Sequence, residues 1–562
     1  MDGLMMRIPL SVPELIRHAD RCHGDTEVVS RTIEGPIHRY TYREAHRRAR
    51  RLARALLRRK VGRGERIGTL AWNGYRHFEL YYSVSGIGAV VHTINPRLFA
   101  DQLAYIVNHA DDQLVFFDLS FTTLVEKLAP RCPGVAAWVA MTDAAHRPAA
   151  TLPNLVCYED LLAAEDDDYE WPDLDETSAC ALCYTSGTTG NPRGVLYSHR
   201  STVLHALTTC LPDVLNLGAQ SVVLPIVPMF HVNAWGLPYA APLVGAKLVL
   251  PGAALDGKSL YALFEDEGVT HSAGVPTVWL GMIDYLKANG LRFSTFRETI
   301  IGGSACPPAM MRTLREDFGV DVKHGWGMTE TSPIATAGVL KRKHAKVAEV
   351  DRTAIREKQG RPLFGVEMKI VDADGRELPH DGTRPGNVLV RGSWVATGYF
   401  RGEGGDVLAS GGWFPTGDVG TVDPDQYLQI TDRSKDVIKS GGEWISSIEL
   451  ENIAFSHPEV TEAAVIGLPH PKWDERPLLI AVRKAGSTLD RNALLAWFDG
   501  RTARWWIPDD VVFVDELPHT ATGKLSKRTL RERFRDHRWP ASTRTAEEAA
   551  DARADQPRDM RA

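Results

Sequence analysis

Residues 184–194 read YTSGTTGNPRG and follow the apolar segment ACALC at residues 179–183. The glycines of this stretch permit backbone angles that turn successive N–H groups toward one point. Its Ser and Thr hydroxyls add hydrogen-bond donors, and one arginine adds a positive charge. The pattern predicts a phosphate-binding loop between a buried strand and a helix-like segment, with candidate ligands Thr185, Ser186, Gly187, Thr188, Thr189, Gly190 and Arg193.

Two other interpretations of this region are weaker. The spacing is not G-x-x-x-x-G-K-[ST], which argues against a P-loop NTPase. A flexible Ser/Thr/Gly linker rarely lies directly after a buried strand. Cys180 and Cys183 form a C-x-x-C pair, but no second pair or nearby His accompanies them. Packing within a buried strand is therefore the predicted role of both thiols, rather than metal or redox chemistry.

The pattern outward from the loop predicts an α/β fold with several units, as 562 residues at roughly 100–200 per domain suggest. Apolar β-rich runs alternate with helical stretches up to about residue 330, and short strands with Gly, Pro and Asp turns follow. We predict a large N-terminal domain, residues 1–432, of two α/β layers plus a β-rich subdomain at about 360–432. A small mobile α+β lid domain, 433–539, with the element order helix-strand-strand-helix-strand-helix, and a disordered tail, 540–562, complete the prediction.

Composition restricts the classes of partner. With 65 Lys+Arg against 71 Asp+Glu the net charge is −6, which gives no bulk electrostatic reason to bind nucleic acid or an anionic membrane. For the arginine-rich helix at residues 43–60 we favour a solvated surface helix whose arginines pair with acids over a polyanion-binding patch. Seven scattered cysteines, no secretion signal and no long apolar run predict a cytoplasmic protein without a membrane span.

Seven motifs occur in a fixed order along the chain: YTSGTTGNPRG, PMFHVNAW (228–235), GGSACPP (302–308), GWGMTETSP (325–333), TGD (416–418), DRSKDVIKSGGEWIS (432–446) and HTATGKL (519–525). With them the chain resembles the adenylate-forming superfamily of acyl-CoA synthetases, luciferases and peptide-synthetase adenylation domains. Among these it is most similar to bacterial medium- and long-chain fatty acyl-CoA synthetases, a branch that includes the 3-methylthiopropionate:CoA ligases.

The resemblance implies an AMP-forming acid:CoA ligase with two half-reactions. A carboxylate attacks the α-phosphate of MgATP to give an acyl-adenylate and pyrophosphate, and the thiol of coenzyme A then displaces AMP. Lys524 is the implied catalytic cation of the first step and Lys439 that of the second. Glu330 and Thr185 are implied to form the Mg²⁺ environment, and His231 to approach the carboxylate.

The remaining implied roles concern the nucleotide and the acyl chain. Trp235 is implied to gate the acyl tunnel, and Lys435 to be the hinge between the domains. The nucleotide contacts implied are Gly302, Gly303, Ser304, His324, Gly325 and Trp326 for adenine, Thr329 for the α-phosphate, and Asp418 and Arg433 for the ribose. The path of the pantetheine arm or the intermediate is implied to be lined by Gly441, Gly442, Glu443 and Trp444.

The substrate interpretation leaves alternatives open. Val232 and Asn233 stand near where amino-acid-activating relatives commonly carry an Asp, so a medium- to long-chain fatty acid is favoured over an amino acid. A short-chain acid such as 3-methylthiopropionate is the first alternative, and an adenylation enzyme that loads a separate carrier protein is the second. Arg193 replaces the customary Lys and Trp326 a common Tyr. Homodimerisation is implied by the resemblance alone.

Overall fold

A computed structural model of the chain describes residues 1, 3–185, 191–440, 443–519 and 525–540, with the backbone alone at Glu443 and Trp444. Part of the predicted site lies outside the described residues: Ser186, Gly187, Thr188, Thr189, Gly190, Gly441, Gly442 and Lys524. The predicted tail lies outside them after residue 540.

The helices of the described residues are α1 (Val12–His23), α2 (Tyr42–Arg58), α3 (Tyr75–Gly86), α4 (Ala100–Ala110), α5 (Thr122–Leu128), α6 (Tyr158–Ala163), α7 (His199–Thr209), α8 (Leu237–Val244), α9 (Gly257–Asp266), α10 (Pro276–Asn289), α11 (Pro308–Glu316), α12 (Glu349–Glu357), α13 (Ser447–Phe455), α14 (Arg491–Ala496) and α15 (Lys527–Arg533).

The strands are β1 (Glu27–Arg31), β2 (Ile37–Thr41), β3 (Arg66–Leu70), β4 (Val90–Thr93), β5 (Asp112–Phe117), β6 (Ala137–Ala140), β7 (Val156–Cys157), β8 (Ala179–Tyr184), β9 (Gly194–Ser198), β10 (Val222–Pro225), β11 (Lys247–Leu250), β12 (His271–Gly274), β13 (Glu298–Ile301), β14 (Asp321–Gly327), β15 (Ile334–Ala337), β16 (Arg361–Pro362), β17 (Val366–Val371), β18 (Gly386–Gly392), β19 (Phe414–Val422), β20 (Leu428–Arg433), β21 (Ile438–Ser440), β22 (Glu443–Ile445), β23 (Val460–His470), β24 (Asp474–Arg483) and β25 (Asp510–Phe513).

Two large sheets organise the first compact unit, which comprises Met1–Cys306, Met310–Met368 and Val390–Phe414. One has nine strands in the order β16-β15-β14-β13-β12-β10-β11-β1-β2, and the other seven in the order β7-β6-β5-β3-β4-β8-β9. Their interior strands pair in parallel and antiparallel pairs occur at the edges. This topology confirms the predicted α/β class. Apolar strands that alternate with helices form such sheets because the helices bury both faces of the parallel strands.

A buried cluster of aromatic side chains packs beside the nine-stranded sheet. Phe264 of α9, Trp279 of α10 and Phe296 are buried together, and the Trp279 and Phe296 rings stack with their centroids 5.5 Å apart. A core of this kind fixes the sheet whose strand ends carry the predicted nucleotide motifs.

Helix α2 contains most of the arginine-rich segment, and several of its arginines are paired with carboxylates. Arg48 lies 2.7 Å from Glu79, Arg54 2.8 Å from Asp166, and Arg58 2.9 Å from Glu165. The apolar stripe of the helix is buried. The contacts support the surface-helix interpretation, since cations already neutralised by neighbouring carboxylates make a poor polyanion site.

The C-x-x-C pair lies on β8, and both thiols are buried. Residues three apart in a strand face opposite sides, so Cys180 Sγ lies 3.3 Å from Thr202 Oγ1 while Cys183 Sγ lies 3.2 Å from Thr93 Oγ1. Burial raises the pKa of Cys180 to about 12 and that of Cys183 to about 11. Protonated thiols on opposite faces fit the predicted packing role.

The second compact unit comprises Pro307–Ala309, Lys369–Leu389 and Pro415–Ala562. It contains a five-stranded sheet in which β22, β21, β24 and β23 are neighbours in that order and β25 pairs with β24. The helix-strand-strand-helix-strand-helix order predicted after residue 433 matches α13, β23, β24, α14, β25 and α15. A four-stranded sheet, β17-β18-β19-β20, forms the predicted β-rich region. The domain boundary at 432/433 and the mobility of the lid stay predictions.

Arg476 on β24 is a buried cation of this unit with several hydrogen bonds, and its side chain is 1% exposed. Its guanidinium donates to both carboxylate oxygens of Asp509, at 2.9 and 2.7 Å, to Ser440 Oγ, and to the carbonyls of Trp505 and Ile507. It also lies 4.4 Å from the centre of the Trp505 ring. The side chain therefore joins β21, β24 and the segment before β25.

We expect Arg476→Ala to lower the free energy of unfolding of the second unit by about 3–5 kcal/mol, because it leaves a carboxylate and two carbonyls without their buried donor. Urea unfolding followed by tryptophan fluorescence measures the change. The exposed Arg504→Ala is the matched control and should shift stability by no more than about 0.5 kcal/mol. Equal stability of the two variants would contradict the structural role of Arg476.

Within the part of the chain that the structure describes, no helix is long and apolar enough to cross a membrane.

Candidate functional site

The predicted phosphate loop connects two antiparallel strands. Tyr184 of β8 pairs with Gly194 of β9, and Thr185 N–H donates to the carbonyl of Arg193 (2.9 Å). Arg193 N–H donates in turn to Thr185 Oγ1 (3.3 Å). The expectation of a helix-like segment directly after the loop is therefore wrong. Val195 and Tyr197 are buried in alternation with Leu196, which is the period of a strand, and α7 begins only at His199.

Close packing at the end of this hairpin disfavours a residue larger than glycine at position 194. A Cβ atom at this position would lie 3.0 Å from Phe400 Cβ and 3.2 Å from Tyr184 Cζ. Tyr184 OH itself lies 2.7 Å from Nδ1 of His109 on α4. The base of the loop is thus fixed by α4 and by the segment around residue 400.

Arg193, Tyr399 and Glu330 form a contiguous group beside the loop. The Arg193 guanidinium carbon lies 5.2 Å from the centre of the Tyr399 ring, and Tyr399 OH donates to Glu330 Oε1 (2.7 Å). Glu330 belongs to the 3-10 helix Thr329–Thr331 and is 5% exposed. A cation predicted for phosphate and a carboxylate predicted for Mg²⁺ therefore contact the same tyrosine.

The predicted adenine-binding segments lie at the ends of adjacent parallel strands. Ile301 at the end of β13 pairs with His324 of β14, which places residues 302–304 beside residues 324–326. A Cβ on Gly302 would lie only 2.6 Å from the carbonyl oxygen of Gly325, so the close approach requires glycine. Ligands of parallel α/β sheets bind at the carboxyl ends of the strands, which is where these segments meet.

His324 stabilises this strand end rather than presenting its ring to a ligand. Its Nδ1–H donates to the carbonyl of Glu357 (2.8 Å), and its Nε2 accepts from Cys306 N–H (3.4 Å). Burial lowers the pKa of His324 to about 4, so the ring is neutral near pH 7. Trp326 is half-buried and Ser304 is exposed. The carbonyl of Thr329 accepts from Tyr197 OH (2.6 Å).

The segment after His231 is a left-handed turn. Val232, Asn233, Ala234 and Trp235 have φ angles of 47°, 50°, 49° and 54°. Such angles are strained for a β-branched residue like valine and persist only where the surroundings hold them. Asn233, the residue most tolerant of this region, is buried, and its Oδ1 lies 3.4 Å from Tyr81 OH and from Cys183 Sγ.

Trp235 at the end of this turn reaches the predicted nucleotide segment. Its Cη2 atom lies 3.4 Å from the position that a Cβ on Gly302 would occupy, and the residue is 8% exposed. The structure thus brings the predicted gate, Trp235, together with Gly302 and Gly325.

Asp418 and Arg433, the residues predicted for the ribose, face each other in the second unit. They are paired in the β19–β20 ladder, and Arg433 Nε lies 3.2 Å from Asp418 Oδ1. The Asp418 side chain is 7% exposed and that of Arg433 45% exposed. An ordered carboxylate beside a cation that remains half-exposed can accept hydrogen bonds from a vicinal diol.

The predicted hinge segment is bonded within the second unit. Asp432 Oδ2 accepts from Ser447 N–H (2.7 Å) and Oγ (2.6 Å), and Arg531 of α15 lies 2.6 Å from Asp436. Lys435 between them is exposed, and partial desolvation of its ammonium group lowers its pKa. Lys439 is exposed on β21, opposite Trp444 of β22.

The side chains predicted for Mg²⁺ offer oxygen atoms. No group of three or more His, Cys, Asp or Glu side chains with metal-binding geometry occurs in the described ranges. Glu330 and Thr185 offer a buried carboxylate and a hydroxyl. Mg²⁺ is commonly held by one or two carboxylates together with phosphate oxygens of the substrate, so this donor set fits that ion.

Sequence reasoning missed Tyr399. Its context, Thr397-Gly398-Tyr399, is a turn in a Gly-rich stretch and carries no charge or periodicity that distinguishes it. Only the fold brings it to Glu330, from which it is separated by 69 residues.

Comparison with known families places two models on this chain. The model described as AMP-binding enzyme matches residues 15–400, and the model described as AMP-binding enzyme C-terminal domain matches residues 449–524. Together they include the loop, the strand ends, the left-handed turn and strands β23, β24 and β25.

Curated relatives are similar over nearly the whole chain. A 3-methylmercaptopropionyl-CoA ligase of Ruegeria lacuscaerulensis is 52% identical over 95% of this chain and 99% of its own length. A medium-chain-fatty-acid–CoA ligase of Ectopseudomonas oleovorans is 50% identical, covering 95% and 98%. A long-chain-fatty-acid–CoA ligase of Thermus thermophilus is 44% identical, covering 95% and 97%.

Among solved structures, an anthranilate CoA ligase in complex with anthranoyl-AMP aligns with a TM-score of 0.83 over 95% of this chain and 99% of that one, at 24% identity. ATP-bound MatB from Rhodopseudomonas palustris aligns with a TM-score of 0.78 over 93% and 99%, also at 24% identity. At this identity the likeness shows the fold.

Proposed function

Since the chain belongs to the AMP-binding enzyme family and is an AMP-forming acid:CoA ligase, we propose that its acid is a medium- to long-chain fatty acid, with Mg²⁺ as the cofactor. We also propose that the protein is cytoplasmic, that it forms a homodimer, and that its site residues have the roles described below.

The chemistry follows from the poor reactivity of a carboxylate. A carboxylate oxygen attacks the α-phosphorus of ATP, the bond to the bridging oxygen breaks, and pyrophosphate leaves. The thiol sulfur of coenzyme A then attacks the acyl carbon of the adenylate, and AMP leaves with the electrons of the C–O bond while the thiol proton is lost. When bound, Mg²⁺ supplies charge neutralisation on the phosphate oxygens.

Each group of predicted site residues has its own task in this reaction scheme. Two hydrogen bonds between Thr185 and Arg193 join the ends of the phosphate loop. The Arg193 guanidinium binds the triphosphate, and Glu330 provides a carboxylate for the metal. Asp418 and Arg433 bind the ribose hydroxyls. Residues Gly302 to Ser304 and Trp326 flank adenine, while His324 holds the strand end from beneath.

The observation that carries the acyl-chain proposal is the neutral, buried turn after His231. Val232 and Asn233 are 3% and 4% exposed, and the Asn233 side chain lies among the hydroxyls of Tyr81 and Thr93 and the thiol of Cys183. An α-ammonium group requires a carboxylate at such a position, since a buried cation without a partner is costly. Trp235 adds an apolar face, which suits an aliphatic chain.

A short thioether acid is the second candidate, because the relative that is 52% identical over nearly the whole chain is a 3-methylmercaptopropionyl-CoA ligase. Sulfur makes favourable contacts with aromatic rings, and Trp235 provides a ring at the predicted tunnel mouth. The two candidates differ in whether methylenes or sulfur determine transition-state binding.

An acid panel tests the proposal. We expect kcat/KM to rise about fourfold for each added methylene and to fall beyond the length that the pocket accommodates, as expected when about 0.8 kcal/mol is gained per buried methylene. The panel contains straight-chain acids from acetate upward and 3-methylthiopropionate. Release of pyrophosphate and AMP is measured with MgATP, with and without coenzyme A.

Pentanoate is the matched control for the thioether, because the two acids differ only by one methylene in place of sulfur. Equal rates for this pair, with faster turnover of longer acids, support the fatty-acid proposal. A preference of about tenfold or more for 3-methylthiopropionate over pentanoate favours the second candidate. Sedimentation equilibrium tests the proposed homodimer.

A further inference from the structure

Glu330 is held at two points by one short segment. Its carbonyl accepts from Ala396 N–H (2.8 Å), and its Oε1 accepts from Tyr399 OH (2.7 Å). A donor at Oε1 restricts rotation of the carboxylate plane about the last bond of the side chain, a torsion that is broadly distributed in proteins. Both the position and the orientation of this carboxylate therefore depend on residues 396–399.

The same segment supports the loop cation. The Arg193 guanidinium lies against the Tyr399 ring, 5.2 Å from its centre, and its Nη1 lies 3.4 Å from where a Cβ on Gly404 would be. An arginine on an aromatic face gains electrostatic attraction and has fewer accessible rotamers. One side chain thus contacts the carboxylate through its hydroxyl and the guanidinium through its ring.

The segment is itself firmly packed. Phe400 contacts the hairpin end at Gly194, and Glu403 accepts from Tyr105 OH (2.7 Å). These two contacts restrain the segment that carries Tyr399.

We propose that Tyr399 is a positioning residue for the adenylation step: its hydroxyl orients Glu330 toward the metal and its ring holds Arg193 for the triphosphate. The inference rests on the roles of Glu330 and Arg193 in the proposed function. Outer partners that orient metal ligands typically contribute about 10- to 100-fold to metal affinity or activity.

Two variants separate the two contacts. Tyr399→Phe removes the hydroxyl and keeps the ring, so we expect about a tenfold higher Mg²⁺ concentration for half-maximal adenylation, with recovery at saturating Mg²⁺. Tyr399→Leu removes both contacts, so we expect an additional rise in KM for MgATP that excess Mg²⁺ does not reverse. Thioester formation from supplied acyl-adenylate should be unchanged in both variants.

Calorimetric titration of MgATP into the full-length protein without acid gives a readout independent of turnover, and both variants should bind more weakly than wild type. Tyr261→Phe is the control, because it deletes a tyrosine hydroxyl bonded to the carbonyl of Arg292 elsewhere on α9. This variant should bind MgATP as wild type does.

Three results would overturn the inference: wild-type Mg²⁺ dependence and MgATP affinity in Tyr399→Phe, failure of Mg²⁺ to restore that variant, or equal losses in both half-reactions. If Tyr399→Leu does not fold, Tyr399→Phe alone decides. A wild-type enzyme that activates no acid in the panel contradicts the proposed function, whereas calorimetry still tests Tyr399.

Discussion

Lys524→Ala should abolish acid-dependent pyrophosphate exchange and largely spare thioester formation from supplied acyl-adenylate. The first step brings an anionic carboxylate against a polyanionic nucleotide, so a cation that contacts both lowers the barrier only there. Removal of one preorganised charge contact of this kind costs about 10²–10³-fold in rate. Before the second step pyrophosphate has left and the acyl–phosphate bond has formed. The cation is then no longer needed to offset repulsion between a carboxylate and a polyphosphate.

Isotope exchange between pyrophosphate and ATP measures the first step, and formation of acyl-CoA from synthetic acyl-adenylate measures the second. Lys484→Ala, which removes an exposed lysine from the same compact unit, is the matched control and should leave both rates unchanged. Equal loss of both rates in Lys524→Ala would contradict a division of labour between the two steps.

The fold was largely predictable where periodicity and turns agree. Parallel α/β layers followed from apolar runs alternating with helices, and the element order after residue 433 followed from short segments of clear period. The strand before the predicted phosphate loop was located correctly, as β8, but the element after the loop was not, because it is a strand. The segment GVLYS at residues 194–198 has too few residues to distinguish a strand from the start of the following helix.

Long-range contacts could not be predicted from local patterns. Tyr399 contacts Glu330, and Arg476 contacts Asp509, only because segments distant in sequence are neighbours in space. The left-handed turn at Val232–Gly236 could likewise not be predicted, since its sequence contains a β-branched residue and a tryptophan that disfavour such angles. Strain of this kind is maintained by surrounding tertiary contacts, which no local window of sequence contains.

The neutral state of His324 illustrates the same limit. The family resemblance implied that His324 lies beside adenine, and the residue lies on strand β14, where it pairs with Ile301. Its two ring nitrogens, however, are both occupied by backbone groups. The structure therefore gives the ring a supporting task that depends on the positions of Cys306 and Glu357.

Lys439→Ala should produce the reciprocal phenotype of Lys524→Ala. Lys439 is exposed on β21, its backbone N–H donates to Glu475 Oε2 (3.0 Å), and its strand is paired with β22 through Trp444. Truncating an exposed side chain changes stability by about 0.5 kcal/mol or less, so the fold should remain. We expect acyl transfer to coenzyme A to fall by about 10²-fold while pyrophosphate exchange is unchanged, because this cation serves the second transition state.

The two variants together test whether one domain serves two chemical steps. In Lys439→Ala, acyl-adenylate should accumulate and pyrophosphate should appear in a burst, since the first step proceeds and the second is slow. In Lys524→Ala the burst should be absent, and the double variant should lose both activities. A burst of equal size in the single variants would show that the lysines do not divide the half-reactions. Because each variant retains the step that the other loses, loss of folding cannot produce the reciprocal pattern.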